Sequence, residues 1–108
     1  MKAAVLESFG EPLRIHRDWP DPECGPRDVV LEIKGCGVCR SDYTLWHGGM
    51  PWMGVVPPLP SVIGHEYCGV VAEAGSEVKG VAVGDRVVSP FCHGCGSCDY
   101  CDAGHENV

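Results

Sequence analysis

Three cysteines recur at a strict three-residue spacing in Cys95-Gly-Ser-Cys98-Asp-Tyr-Cys101. C-x-x-C pairs this close in sequence are too near each other to knit a fold with disulfides. They do suit a tetrahedral ion that draws sulfurs to about 2.3 Å from one centre. Gly94, Gly96 and Gly104 flank the run and supply the tight turns that aim successive thiols inward. A closed structural zinc site takes four ligands, and the run offers three. Cys92 continues the same spacing toward the N-terminus and is the first candidate for the fourth position, with His93 and His105 behind it.

The chain has 108 residues, enough for one domain or a piece of a larger one. A net charge of −7 argues against nucleic acid or an anionic membrane as partner. No apolar stretch reaches the length of a bilayer crossing. Met1-Lys2-Ala3-Ala4-Val5 lacks the pattern of a secretory leader, so a cytoplasmic location is expected. Eight cysteines in that setting read as reduced thiols and metal ligands rather than a disulfide framework.

Fifteen glycines and nine prolines call for short strands joined by many turns. Strands are expected at Met1–Leu6 and around Leu13–His16, followed by a Pro-rich loop over 18–27. Asp28 to Lys34 alternates, with Val29, Leu31 and Ile33 on one face, as a half-buried strand does. Ser41-Asp42 can cap a short helix over Tyr43–Trp46 that ends at Gly48-Gly49. The stretch Met50–Pro60 reads as an irregular loop. Tyr67–Ala74 is apolar enough for a strand buried on both faces, with Cys68 in the core. Gly84-Asp85 leads into a strand over Arg86–Ser89. The pattern predicts a mainly β barrel or sandwich, with Val29, Leu31, Ile33, Val70, Val71, Val87 and Val88 among its more buried side chains. Cys36 is expected to pack at a strand end, and Cys24 is a loop thiol without an evident partner.

Cys39 and the pair His65-Glu66 form a second constellation, each placed where a strand meets a turn. A thiolate, an imidazole and a carboxylate are the ligand set of a catalytic zinc that keeps one position open. Taken singly, such residues are more often a packed thiol and a surface pair. Their setting adds specificity. Gly37-Val38-Cys39-Arg40-Ser41-Asp42, then Gly64-His65-Glu66, then Val83-Gly84-Asp85-Arg86-Val87, then the cysteine run occur in one order. Together they resemble the zinc-dependent medium-chain alcohol dehydrogenases, over the whole of Met1 to Val108.

That resemblance implies a GroES-like, partly open β-barrel with short helices and a structural-zinc lobe over 90–108. It implies Cys39 and His65 as catalytic zinc ligands and Glu66 as a carboxylate able to approach the metal. Asp42 would orient the ligating imidazole, a role with physical sense because such partners fix the ring. Ser41 would take the proton of the bound alcohol, and Arg40 would meet the pyrophosphate of NAD or NADP. Cys95, Cys98 and Cys101 would be structural-zinc ligands. The family's fourth structural cysteine would fall one residue past Val108.

The third catalytic ligand and the Rossmann domain lie downstream in that family. The resemblance therefore implies an N-terminal catalytic domain that is inactive by itself, with metal at Cys39 and His65 held weakly or completed by Glu66 or water. Thr44 stands where some members carry a relay histidine, and His47 is the candidate substitute. Trp46 and Trp52 are candidate cleft walls. The whole enzyme would oxidise an alcohol to an aldehyde or ketone as a dimer or tetramer. The alternatives are a zinc-binding GroES-like module without catalysis and a co-chaperonin-like ring subunit, which would need neither cysteine nor histidine cluster.

Overall fold

The computed structural model describes residues 1–91 and 94–105. Its elements are short and mainly extended: β1 (Ala3–Val5), β2 (Arg14–His16), β3 (Val29–Gly37), α1 (Arg40–Trp46), β4 (Glu66–Ala74), β5 (Arg86–Val88) and α2 (Asp99–Asp102). A single 3-10 turn spans Pro51–Met53 inside the Pro-rich strap. Every strand pairing is antiparallel: β1 with β2 in one sheet, and β3-β4-β5 in the other.

The long β3–β4 pairing is the frame of the molecule. It runs from Val29 opposite Ala74 to Gly37 opposite Glu66, and two irregularities interrupt it. Ala72 is the extra residue between the Val30 and Leu31 pairs, and Lys34 the extra residue between the Ile33 and Gly35 pairs. Each such bulge bends the strand and breaks the two-residue period. Gly69 makes the second one possible, because a Cβ there would stand 2.5 Å from the Glu32 carbonyl oxygen.

The fully buried side chains are Val5, Leu6 and Val71, with Ala3 close behind. Leu6 exchanges two backbone hydrogen bonds with Ser61, at 2.8 and 3.0 Å, which fastens the strap ahead of His65 to the N-terminal strand.

The expected core is corrected in part. Val71 is buried, and Val29, Leu31, Val70 and Val87 are half-buried, but Ile33 and Val88 are exposed. Val29, Leu31 and Ile33 line an open groove with Tyr67, and Ile33 stands at its bulged end. Val88 lies on β5, the edge strand of its sheet. The central strand β4 is buried only around Gly69 and Val71 rather than on both faces, and Cys68 is exposed, as is Cys36. Among the described residues no helix is long and apolar enough to cross a membrane.

Candidate functional site

The turn from β3 into α1 delivers the first half of the site. Cys39 is the N-cap of α1, with extended backbone, and Arg40, Ser41 and Asp42 form its first turn. The cap differs from the expected one. Asp42 sits at the third helical position and reaches back, its Oδ2 accepting the Cys39 N–H at 2.8 Å. That is the carboxylate half of a capping box, with Cys39 in the place usually held by Ser or Thr. The second half comes from Gly64, whose φ of 120° is open only to glycine, and which turns the chain so that His65 enters just before β4.

These two segments meet at one point. Cys39 Sγ lies 3.3 Å from His65 Nε2 and 2.8 Å from Ser41 Oγ, and Ser41 Oγ lies 2.9 Å from His65 Nε2. Behind the ring, His65 Nδ1 is 3.2 Å from Oδ1 of the buried Asp42. This contact falls short of hydrogen-bond geometry, so Oδ1 is a buried acceptor without a donor. A metal on Nε2 would require the ring proton on Nδ1, aimed at that acceptor. The sulfur–nitrogen separation also fits, since tetrahedral arms of zinc to thiolate and imidazole span roughly 3.6 Å. Glu66 Oε1 stands 3.9 Å from His65 Nε2. Arg40 is exposed at the start of the helix.

Beside this point runs a groove of about 310 Å³ lined by Pro12, Leu13, Val38, Tyr43, Trp46 and Ile63 together with Cys39 and Asp42. Trp46 is thus a wall of the cleft, its indole held by donation to the Glu11 carbonyl at 2.6 Å. Trp52 is exposed and takes no part in that lining. The contributions of Pro12 and Leu13 carry no motif and depend on the loop ahead of β2, which the Gly10 N–H ties to the Trp46 carbonyl at the end of α1 at 2.8 Å. The larger groove along β3 holds none of the clustered residues.

The cysteine run closes on itself as its spacing predicts. Cys98 Sγ and Cys95 Sγ lie 3.6 and 4.0 Å from Cys101 Sγ, against the roughly 3.8 Å edge of a zinc–thiolate tetrahedron. The Gly96 N–H donates to Cys101 Sγ at 3.3 Å. Cys92 and His93 lie outside the described residues, and His105 is not part of the cluster. Hydrogen bonds from Ser97, main chain first and then hydroxyl, followed by the Cys98 and Cys101 thiols, lower the Cys95 thiol to about 7.

The thiolate is the reactive form. In the chelator-treated chain, alkylation of Cys95 by iodoacetamide should therefore rise through a midpoint near 7. Ser97→Ala, which removes the hydroxyl and keeps the main-chain donor, should move that midpoint part of the way up toward the ordinary thiol range of about 8.5. Peptide mapping at a series of pH values reads this directly, and an unchanged midpoint in Ser97→Ala would remove the Ser97 hydroxyl as a cause.

Comparison with known proteins identifies the family and the fold. The family described as "Alcohol dehydrogenase GroES-like domain" matches residues 25–108. An alcohol dehydrogenase of Geobacillus stearothermophilus is 43% identical over 109 residues, covering all of this chain and 31% of that protein. A solved NAD-dependent alcohol dehydrogenase superposes with a TM-score of 0.83 at 36% identity, over 100% of this chain and 31% of the other. A cobalt- and zinc-bound thermostable alcohol dehydrogenase from Pyrobaculum aerophilum gives 0.79 at 35% identity, over 98% and 31%. The chain thus spans about a third of the length of the relatives it matches. The mainly β, GroES-like fold expected from the motifs is the fold found.

Proposed function

We propose, from the premise that this chain belongs to the alcohol dehydrogenase GroES-like domain family, that it is the metal- and alcohol-holding part of a zinc-dependent dehydrogenase. The reaction is interconversion of an alcohol with its aldehyde or ketone, with NAD or NADP as hydride carrier. The supporting observation is that Cys39 Sγ, His65 Nε2 and Ser41 Oγ converge on one point with Asp42 behind the ring.

In this reading Cys39 and His65 are the ligands this chain gives to a catalytic zinc, and Cys95, Cys98 and Cys101 hold a second, structural one. Bound zinc supplies Lewis acidity, which lowers the pKa of a coordinated hydroxyl. The residues around it do the rest. Asp42 keeps the proton on Nδ1 and leaves Nε2 free to ligate. Ser41 Oγ, in hydrogen-bond reach of both ligand atoms, would accept the alcohol proton as its own hydroxyl proton passes to solvent water. The apolar groove beside Cys39 takes the carbon chain of the substrate and keeps water from it. Arg40, exposed at the head of α1, pairs with the cofactor pyrophosphate. Residues 1–108 form one GroES-like unit, with the lobe over 90–108 as its appendage.

Cobalt(II) tests the metal assignment. The chain should bind a tight equivalent in the lobe and a weaker one at Cys39 and His65, with Cys39→Ser losing only the weaker. Identical titrations of the two proteins would sink the reading. No Gly-rich dinucleotide fingerprint occurs in the sequence. Residues 1–108 alone should therefore show no alcohol-dependent reduction of NAD or NADP, and turnover by the purified chain would overturn that expectation.

A further inference from the structure

Gly37 ends β3, and its partner in register is Glu66, the first residue of β4. Its backbone is not in the left-handed region that reserves a position for glycine. Conformation therefore does not explain the missing side chain, but space does. A Cβ at Gly37 would stand 2.5 Å from Glu66 Oε2, 3.2 Å from Glu66 Cβ and 3.5 Å from Glu66 Cδ. The Glu66 side chain thus lies folded over the bare backbone of Gly37. Its other oxygen, Oε1, is the one 3.9 Å from His65 Nε2.

We infer that Gly37 is a positioning residue: the space left by the side chain it lacks is the seat of the Glu66 carboxylate, and that room lets the carboxylate lie beside the ligating nitrogen of His65. The inference rests on the reading of Cys39 and His65 as metal ligands. Glu66 is an exposed side chain whose ion-pair partner is the His65 ring at the outer limit of contact. Left to itself, such a carboxylate would sample solvent. Seated against Gly37, it stands where an oxygen can enter and leave the coordination sphere.

The geometry also separates Gly37 from glycines that serve the backbone. At Gly69 and Gly75 an added Cβ would strike carbonyl groups, which cannot yield. At Gly37 the severe clash is with the far end of a flexible side chain, and the Glu66 Cβ at 3.2 Å need give by only a few tenths of an ångström. Gly37→Ala should therefore fold and move only the carboxylate.

The test is a double-mutant cycle of Gly37→Ala, Glu66→Ala and the double variant, in the full 108-residue chain, with Cys39→Ser as reference. Cobalt(II) is the probe, and the absorbance missing in Cys39→Ser defines the signal of this site. Glu66→Ala should weaken cobalt binding there about tenfold, the low end for residues that support a metal ligand. Gly37→Ala should weaken it to a similar degree, and should add nothing in the Glu66→Ala background. Equal losses from Gly37→Ala in both backgrounds would overturn the inference, as would no loss where Glu66→Ala shows one.

A metal-free readout keeps the two readings apart. Nuclear Overhauser contacts from the Gly37 α-protons to the Glu66 side chain should be present in the chelator-treated chain. Their absence overturns the seat whatever cobalt does. A Cys39→Ser titration identical to that of the unmodified chain overturns the metal assignment even where the seat is observed, and with it the role given to Gly37.

Discussion

Cys101→Ser should strip metal from the cysteine lobe. Cys101 is the hub of that cluster: both other thiols are measured against it, at 3.6 and 4.0 Å, and the Gly96 N–H turns toward it. A complete structural zinc site is worth about 10–16 kcal/mol, so an equal share per ligand is roughly 3 kcal/mol, or about two orders of magnitude in affinity. The loss should exceed that share, because Ser presents a hydroxyl that zinc binds poorly in place of a thiolate. Zinc titration against a chromogenic chelator reads it. An affinity within a few-fold of the unmodified chain would show that Cys101 is not a ligand. Adding a single cysteine directly after Val108 should have the opposite effect and tighten the site. Equal affinity with and without that extension would mean that a donor within 1–108 already completes it.

Asp42 is where the second large effect is expected. Its two oxygens do different work: Oδ2 caps α1 through the Cys39 N–H at 2.8 Å, and Oδ1 faces His65 Nδ1 at 3.2 Å. Asp42→Asn keeps a carbonyl oxygen for the cap but withdraws the charge from the ring. Metal affinity at Cys39 and His65 should fall about 10–100-fold with little change in melting temperature. Asp42→Ala removes both contacts. It should cost about 1 kcal/mol of stability through the lost cap. The contrast between the two variants, read by cobalt titration and thermal melting, separates orientation of the ring from support of the helix. Asn and Ala variants with the same metal affinity and the same stability would refute the division of labour.

Much of this is legible in the sequence because the informative residues act locally. The Cys95/Cys98/Cys101 spacing encodes its own closure, and Gly48-Gly49 ends α1 where it should. The alternation over Val29–Ile33 places a strand correctly but carries no sign of Ala72 or Lys34 as extra residues, since a bulge is a property of the pairing and not of one strand. Val29, Leu31 and Ile33 do share a face, as the alternation implies, but that face is an open groove and Ile33 at its bulged end is exposed. Ser41-Asp42 has the composition of a helix cap. The acidic side chain instead serves from the third helical position, with Cys39 as the N-cap, because the chain needs Cys39 N–H satisfied where the strand ends. Gly37, taken along the chain, is one glycine in a motif. Its relation to Glu66 exists only in the register of β3 with β4, which no local pattern reveals.

The two metal clusters differ in how much chain separates their ligands. Cys95 and Cys101 are six residues apart, so closing that loop asks little of the rest of the polypeptide. Cys39 and His65 are twenty-six residues apart and meet only when β3 and β4 are in register. A slip of one residue there would carry His65 away from Cys39 by a full strand step, about 3.3 Å, and reverse its face. On the proposed assignment, the lobe's three thiols would meet an ion without long-range pairing, whereas metal at Cys39 and His65 would require the β3–β4 register to be in place.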